Sequence, residues 1–173
     1  DAAKWFLIAA EEGNISAQYN LGFLYNHGKG VKRNYKEAAK WYTLAAEQND
    51  PNAQYALGVL YQLGNGVAQD EQKAAELYKL AANAGNPDAQ YNLGSLYNQG
   101  KGVTQNFKQA AKWYEQAIAQ GNTSAMNNLG FLYHNGQGVE KSNEKSAELF
   151  LQAANAGDAS AQYNLGYLHA KGL

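Results

Sequence analysis

Three histidines, His27, His134 and His169, are the side chains best suited to hold a transition metal or to move a proton near neutral pH. They lie far apart and at three different places in the chain's internal period, whereas metal ligands cluster. The chain has no cysteine, which removes disulfides and thiolate ligands. Ser142-Asn143-Glu144-Lys145 fits the Ser-x-x-Lys pattern of acyl-enzyme chemistry. A serine nucleophile also needs a buried base and an oxyanion site, and no companion Lys-Thr-Gly or Ser-Asp-Asn occurs. Gly28-Lys29-Gly30 and Gly100-Lys101-Gly102 look like phosphate loops but lack the required spacing and any preceding strand. Asn14-Ile15-Ser16 and Asn122-Thr123-Ser124 are glycosylation sequons, which matter only on a eukaryotic secretory route. We therefore assign no catalytic residue, no metal and no cofactor, and expect a protein that is not an enzyme.

The glycines explain most of these motifs in another way. Leu-Gly recurs at Leu21, Leu57, Leu93, Leu129 and Leu165, and Gly-x-Gly-Val at Gly28, Gly64, Gly100 and Gly136, each step being 36 residues. All 18 glycines fall at only four offsets of that period, so they punctuate a repeat. Residues 17–52 and 89–124 are identical at 22 of 36 positions, as internal duplication would leave them. The expected organisation is one domain over 1–173: a half repeat 1–13, full repeats 14–49, 50–85, 86–121 and 122–157, and a half repeat 158–173.

Each repeat reads as two helices. The first opens at Asn14, Asp50, Asn86, Asn122 or Asp158, all residue types that cap helix N-termini. Pro51 and Pro87 then take the first helical position, where the missing N–H costs nothing. The second opens at Asn34, Asp70, Asn106 or Ser142, so Ser142 sits where sister repeats carry a cap. It ends at Gly85, Gly121 or Gly157, with Asn49 in that place in one repeat; glycine and asparagine are the residues that tolerate a left-handed C-terminal cap. At about 100° per residue, Ala17, Leu21, Leu24, Tyr25 and Gly28 share one face of the first helix. Ala38, Trp41, Ala45 and Ala46 recur at core spacing on the second, small residues facing Trp41, Leu77, Trp113 and Leu149. The bare surface at Gly22 and its equivalents is expected to let the partner helix approach. The fold class is all-α, a solenoid of 36-residue helix-turn-helix repeats.

Ala17, Leu21-Gly22-x-x-Tyr25, Gly28-x-Gly30-Val31, the capping Asn34 and Ala38-Ala39-x-Trp41-Tyr42 together resemble the Sel-one-like repeat (SLR) family, a cousin of the tetratricopeptide repeat. The motif recurs along the whole chain. The resemblance implies a right-handed α/α superhelix whose concave face recruits partner proteins, and a job as a scaffold or adaptor, many members being bacterial. Some members carry a disulfide in each repeat. This chain departs from that subgroup, so the activity towards envelope sugars or β-lactams proposed for Cys-rich relatives is not implied. A third reading is a structural array that assembles end to end.

In tetratricopeptide-like stacks the side of the first helix opposite its core lines the groove. Here it carries Tyr19, Tyr55, Tyr91 and Tyr163, with Asn127 breaking the series. Next to it run Asn20, Asn92, Asn128 and Asn164, with Ala56 as the exception. Phe23, Val59, Ser95, Phe131 and Tyr167 fill the third row. An asparagine amide both donates and accepts, so it reads an extended peptide backbone. Tyrosine offers apolar area with a polar tip and few rotamers to freeze. The tyrosine row equally fits packing against a neighbouring first helix, and both readings stay open. First helices hold almost no ionisable groups, Asp88 excepted, so a neutral or apolar partner segment is expected and no carboxylate clamp.

A net charge of -1 gives no basic stripe for nucleic acid and no pull towards an anionic membrane, and no apolar run is long enough to insert in one. Lack of cysteine suits a cytoplasm, a periplasm or the outside of a cell alike. Asp1 aligns with Glu37, so the chain is expected to begin inside a second helix. Trp5, Phe6 and Tyr167 at the two ends then invite a larger parent protein or end-to-end self-association.

Overall fold

The computed structural model describes residues 2–170 and holds ten helices and no strand among them. They are α1 (Ala2–Glu11), α2 (Ile15–His27), α3 (Tyr35–Glu47), α4 (Pro51–Leu63), α5 (Glu71–Asn83), α6 (Pro87–Gln99), α7 (Phe107–Ile118), α8 (Thr123–Asn135), α9 (Asn143–Asn155) and α10 (Ala159–Ala170). The chain divides into two compact units, Asp1–Ala89 and Gln90–Leu173. Within the first, α1 packs on α2, α2 on α3, α3 on α4 and α4 on α5; within the second, α7 packs on α8, α8 on α9 and α9 on α10. The architecture is the expected run of helix pairs.

The expected caps hold in detail. Asn14, Asp50, Asn86, Asn122 and Asp158 each accept from the backbone N–H three residues on, at 2.7–2.9 Å. Asn34, Asp70, Asn106 and Ser142 do the same for the second helices. The two helices of a repeat are joined by a turn that closes on itself. The N–H of Asn34 donates to the Tyr25 carbonyl at 2.9 Å, and Asp70 repeats the bond to Tyr61, Asn106 to Tyr97 and Ser142 to Tyr133. Gly28, Gly64 and Gly136 lie in the left-handed region at φ of 68 to 70°, which L side chains adopt only at a cost. Asn49 takes φ 65° at the one repeat end that lacks glycine, as its residue type allows.

The glycines at offset 22 let the partner helix approach, as expected, and what fills the bare surface is chiefly an aromatic ring of that helix. A Cβ on Gly22 would lie 2.7 Å from the Tyr42 ring, and Gly58, Gly94 and Gly130 meet Tyr78, Tyr114 and Phe150 in the same way at 2.6–2.8 Å. Those four aromatics are among the largest fully buried side chains. The Trp41 series matters less to this layer: Trp41 and Trp113 are buried, but Leu77 and Leu149 are only half-buried. Alternation of glycine against aromatic across facing helices is how a core reaches crystal-like density.

One buried group breaks the pattern. Ser146 on α9 occupies the place of Ala38, Ala74 and Ala110, is fully buried, and its hydroxyl has no hydrogen-bond partner among the described residues. An unpaired buried hydroxyl costs about 1–3 kcal/mol. Ser146→Ala is therefore expected to raise stability by about 1 kcal/mol, read as a higher urea midpoint with an unchanged slope.

Candidate functional site

The three rows nominated on the first helices lie on α2, α4, α6, α8 and α10, at helix positions that fall within about 100° of one another on each helix. The first unit carries Tyr19, Asn20, Phe23, Tyr55 and Val59; the second carries Tyr91, Asn92, Ser95, Asn127, Asn128, Phe131, Tyr163, Asn164 and Tyr167. Every one of these residues keeps some solvent exposure, and none is fully buried. This is the environment expected of residues lying between the core and a contact surface.

The tyrosine row is anchored from below. Tyr19 packs on the buried Tyr42 of its own repeat with ring centroids 5.8 Å apart, Tyr55 on Tyr78 at 5.8 Å, and Tyr91 on Tyr114 at 6.1 Å. These ring contacts are with the second helix of the same repeat, and Tyr19 and Tyr91 also pack on clusters that include Leu57 of α4 and Leu129 of α8. Where Asn127 interrupts the series, Phe131 covers the buried ring instead, edge-on to Phe150 at 5.3 Å. Each buried aromatic thus supports an outer one, which holds the outer ring in a fixed pose with its remaining surface facing water.

The asparagine row divides. Asn128 donates from Nδ2 to the Tyr114 hydroxyl at 3.3 Å, and Asn164 donates to Oδ1 of Asn127 at 2.8 Å. Asn20 and Asn92 make no hydrogen bond to protein through their side chains among the described residues. Ser95 accepts from Gln99 at 2.8 Å. The rows are therefore partly a support for the buried tyrosine, and partly free amides half-open to solvent.

Charge re-enters from the turn. Lys29 folds back until Nζ lies 4.9 Å from the centre of the Phe23 ring, and the His27 ring stacks on Phe23 at 4.1 Å while its Nδ1 bonds the Phe23 carbonyl. Helix-by-helix reading does not see this, because Lys29 belongs to no helix. His134 bonds Asn143 through Nδ1 at 3.0 Å. The side chain of His169 lies outside the described residues. Ser142 caps α9 by accepting from the Lys145 N–H at 3.1 Å, while Lys145 Nζ lies 5.2 Å over the Tyr133 ring. Among the described residues no three His, Cys, Asp or Glu gather where they could hold a metal ion, and no helix is long and apolar enough to cross a membrane.

A second recurring polar feature escaped the sequence reading. Gln18, Gln54 and Gln90 are buried on the first helices. Gln18 donates to the Ala10 carbonyl at 3.1 Å and Gln54 to that of Ala46 at 3.4 Å, so each ties a first helix to the end of the preceding second helix. Gln48 and Gln120 complete the clasp by donating to Gln18 and Gln90, both at 2.8 Å. The recurrence of Ala-Gln at a fixed offset was the available signal.

Burial shifts the tyrosines upward. The Tyr114 hydroxyl is pushed up to about 12, chiefly by burial, with the hydrogen bond from Asn128 opposing and the nearby Tyr91 adding. Tyr42 rises further for the same first reason, and Tyr19 rises through burial and the charge of Asp50. A folded value above the unfolded one of 10.0 means that the native state holds the proton more tightly. Stability is then complete below pH 10 and falls as pH climbs from 10 towards 12. Urea midpoints should trace that fall, and Tyr114→Phe should make it shallower.

A family model described as Sel1 repeat matches residues 1–14, 15–50, 51–86, 87–122, 123–158 and 159–173, a frame one residue later than the helix caps suggest. No curated protein matches the sequence. A protective antigen of uropathogenic Escherichia coli displaying an SLR fold is 38% identical with a TM-score of 0.95, over 100% of this chain and 38% of that one. A Sel1 repeat protein from Oxalobacter formigenes is 34% identical with a TM-score of 0.89, over 92% of this chain and 64% of that one. Helicobacter pylori cysteine rich protein B is 26% identical with a TM-score of 0.59, over 80% of this chain and 99% of that one. The chain thus spans less than two thirds of the length of the first two.

Proposed function

The chain belongs to the Sel1 repeat family, and from that premise we propose that it is a protein-binding scaffold that holds a partner segment against the exposed rows of its first helices. Members of this family are typically protein-interaction scaffolds and are generally non-catalytic. The observation that carries the proposal is the two-tier aromatic arrangement, in which a buried ring props an outer ring that stays half-exposed. Anchored aromatics lose little entropy when a partner covers them, which is what makes them effective contact residues. Asn20 and Asn92 add amides that an extended backbone can satisfy. The rows themselves are uncharged, so a neutral or apolar segment is the matching partner, with Lys29 a cation set over the row residue Phe23.

A photo-crosslinking amino acid placed singly at Val59 or Ser95 tests this in cells, with Lys79 and Glu115 as exposed sites on second helices. Crosslinks to one partner from the row sites and not from the control sites are expected. Equal capture from all four sites would remove the rows from consideration. The competing picture of an end-to-end array predicts crosslinks only between copies of this chain.

A further inference from the structure

Trp41 and Leu77 hold the same place in successive repeats, yet the space in front of them is filled differently. Trp41 is buried against Ala10 in a cluster with Phe6 and Leu7, a large residue facing a small one. Leu149 and Ile118 in the second unit, two residues of middle size, pack on a common cluster. Leu77 has Ala46. A residue of middle size faces a small one at that junction, and a cleft of about 440 Å³ opens there between α3 and α5 above α4. Its apolar wall is Ala46, Leu57, Tyr61, Leu77 and Leu80, and Leu80 is 53% exposed. That volume lies within the range of small ligand sites, roughly 300–1,000 Å³.

The rim is charged. Glu47 and Glu76 line it, as does Lys73. Lys73 is already engaged, 3.9 Å from Asp70 and 5.3 Å above the Tyr61 ring, so the surplus charge of the mouth is acidic. Leu57 and Tyr61 face the cleft, whereas Tyr55 and Val59 of the exposed rows lie roughly 150° round the same helix. This is a separate surface, and the inference stands whether or not the rows bind anything.

We infer that the cleft between Ala46 and Leu77 receives one tryptophan-sized aromatic side chain from a basic segment of a partner protein. The sister junction supplies the shape argument, since the Trp41 indole occupies the corresponding place there. The carboxylates of Glu47 and Glu76 supply the charge argument, because they would face cationic residues flanking the inserted ring.

The probe is the blocked tripeptide Lys-(5-fluoro-Trp)-Lys, titrated by ¹⁹F NMR against the intact chain, with 5-fluoroindole alone as a second arm. Saturable binding of the tripeptide is expected, weakened about tenfold or more by Ala46→Ile and by Leu77→Trp, which copy the fillings of the sister repeats. Glu47→Gln with Glu76→Gln, which leaves the apolar wall intact, should weaken the tripeptide several-fold and leave 5-fluoroindole unchanged. No saturable shift at millimolar tripeptide, or equal binding by the two filled variants and wild type, would overturn the inference. If 5-fluoroindole binds as tightly as the tripeptide, the site serves a free small aromatic, and the partner-segment inference fails.

Discussion

Gly66→Ala loses about 3–5 kcal/mol of stability, while Gly30→Ala, the same change at the same offset one repeat earlier, loses about 1–2 kcal/mol. The two glycines share a left-handed backbone, φ 73° and 72°, so an L side chain is strained to the same degree at both. Their surroundings differ. A Cβ on Gly30 would meet nothing within 4 Å, whereas one on Gly66 would overlap the Tyr35 carbonyl and lie 2.7 Å from the Lys36 nitrogen. Backbone at the start of a capped helix cannot move aside as a flexible side chain can. Gly138 stands against Phe107 and Lys108 in the same way, so Gly138→Ala should behave like Gly66→Ala. The difference between the Gly66 and Gly30 variants, taken from urea unfolding, isolates the contact from the strain. Equal losses would mean that the turn does not dock on the preceding helix.

Tyr114→Ala costs about 3–5 kcal/mol, the range found when a fully buried aromatic is truncated. Three effects add. The ring that fills the space above Gly94 is removed, Tyr91 loses the surface it rests on, and Asn128 loses the hydroxyl it bonds. Tyr114→Phe keeps the first two and should lose only about 1 kcal/mol, the net worth of a hydrogen bond. The repeat that carries Phe150 shows that the position accepts a ring without a hydroxyl. Gly94→Ala should be destabilising by itself, since its Cβ would lie 2.8 Å from the ring, and milder when combined with Tyr114→Leu. Additive losses in that pair would contradict direct packing of the ring on the glycine.

The parts of the fold that were legible in the sequence are those set by local chemistry. Asn14, Asp50, Asn34 and Ser142 mark helix starts because their side chains satisfy backbone donors a few residues away. Asn49 marks a repeat end because of what its own φ allows. What the sequence left ambiguous depends on neighbours distant along the chain. Tyr42 follows Trp41 directly, and nothing in their types says which one lies under Gly22. The split within the asparagine row has the same origin: Asn128 finds the Tyr114 hydroxyl, a group 14 residues away that its own helix does not supply. Lys29 reached the ring of Phe23 through a turn whose path no helical wheel contains. The buried Gln18 bond to Ala10 links two repeats, and a single-repeat reading treats that glutamine as surface.

These observations assign separate tasks to the two kinds of helix. Second helices supply the buried aromatics and carry much of the charge; first helices present half-exposed aromatics and amides over them. A scaffold built in this way varies its third row, Phe23, Val59, Ser95, Phe131 and Tyr167, in size and polarity from repeat to repeat, while the buried Tyr42, Tyr78, Tyr114 and Phe150 beneath stay aromatic. Under the proposed function, partner choice would reside in that third row, and the tyrosine and asparagine rows would hold the bound segment in place.

The most direct test of this account is the equilibrium affinity of the crosslinked partner for purified wild type and for Asn92→Ala, Val59→Arg and Lys112→Ala, each first shown to unfold at the wild-type urea midpoint. Asn92→Ala and Val59→Arg should each weaken binding by about tenfold, close to 1.4 kcal/mol, and Lys112→Ala should leave it unchanged. Wild-type affinity in both row variants would place the binding surface elsewhere and contradict the account.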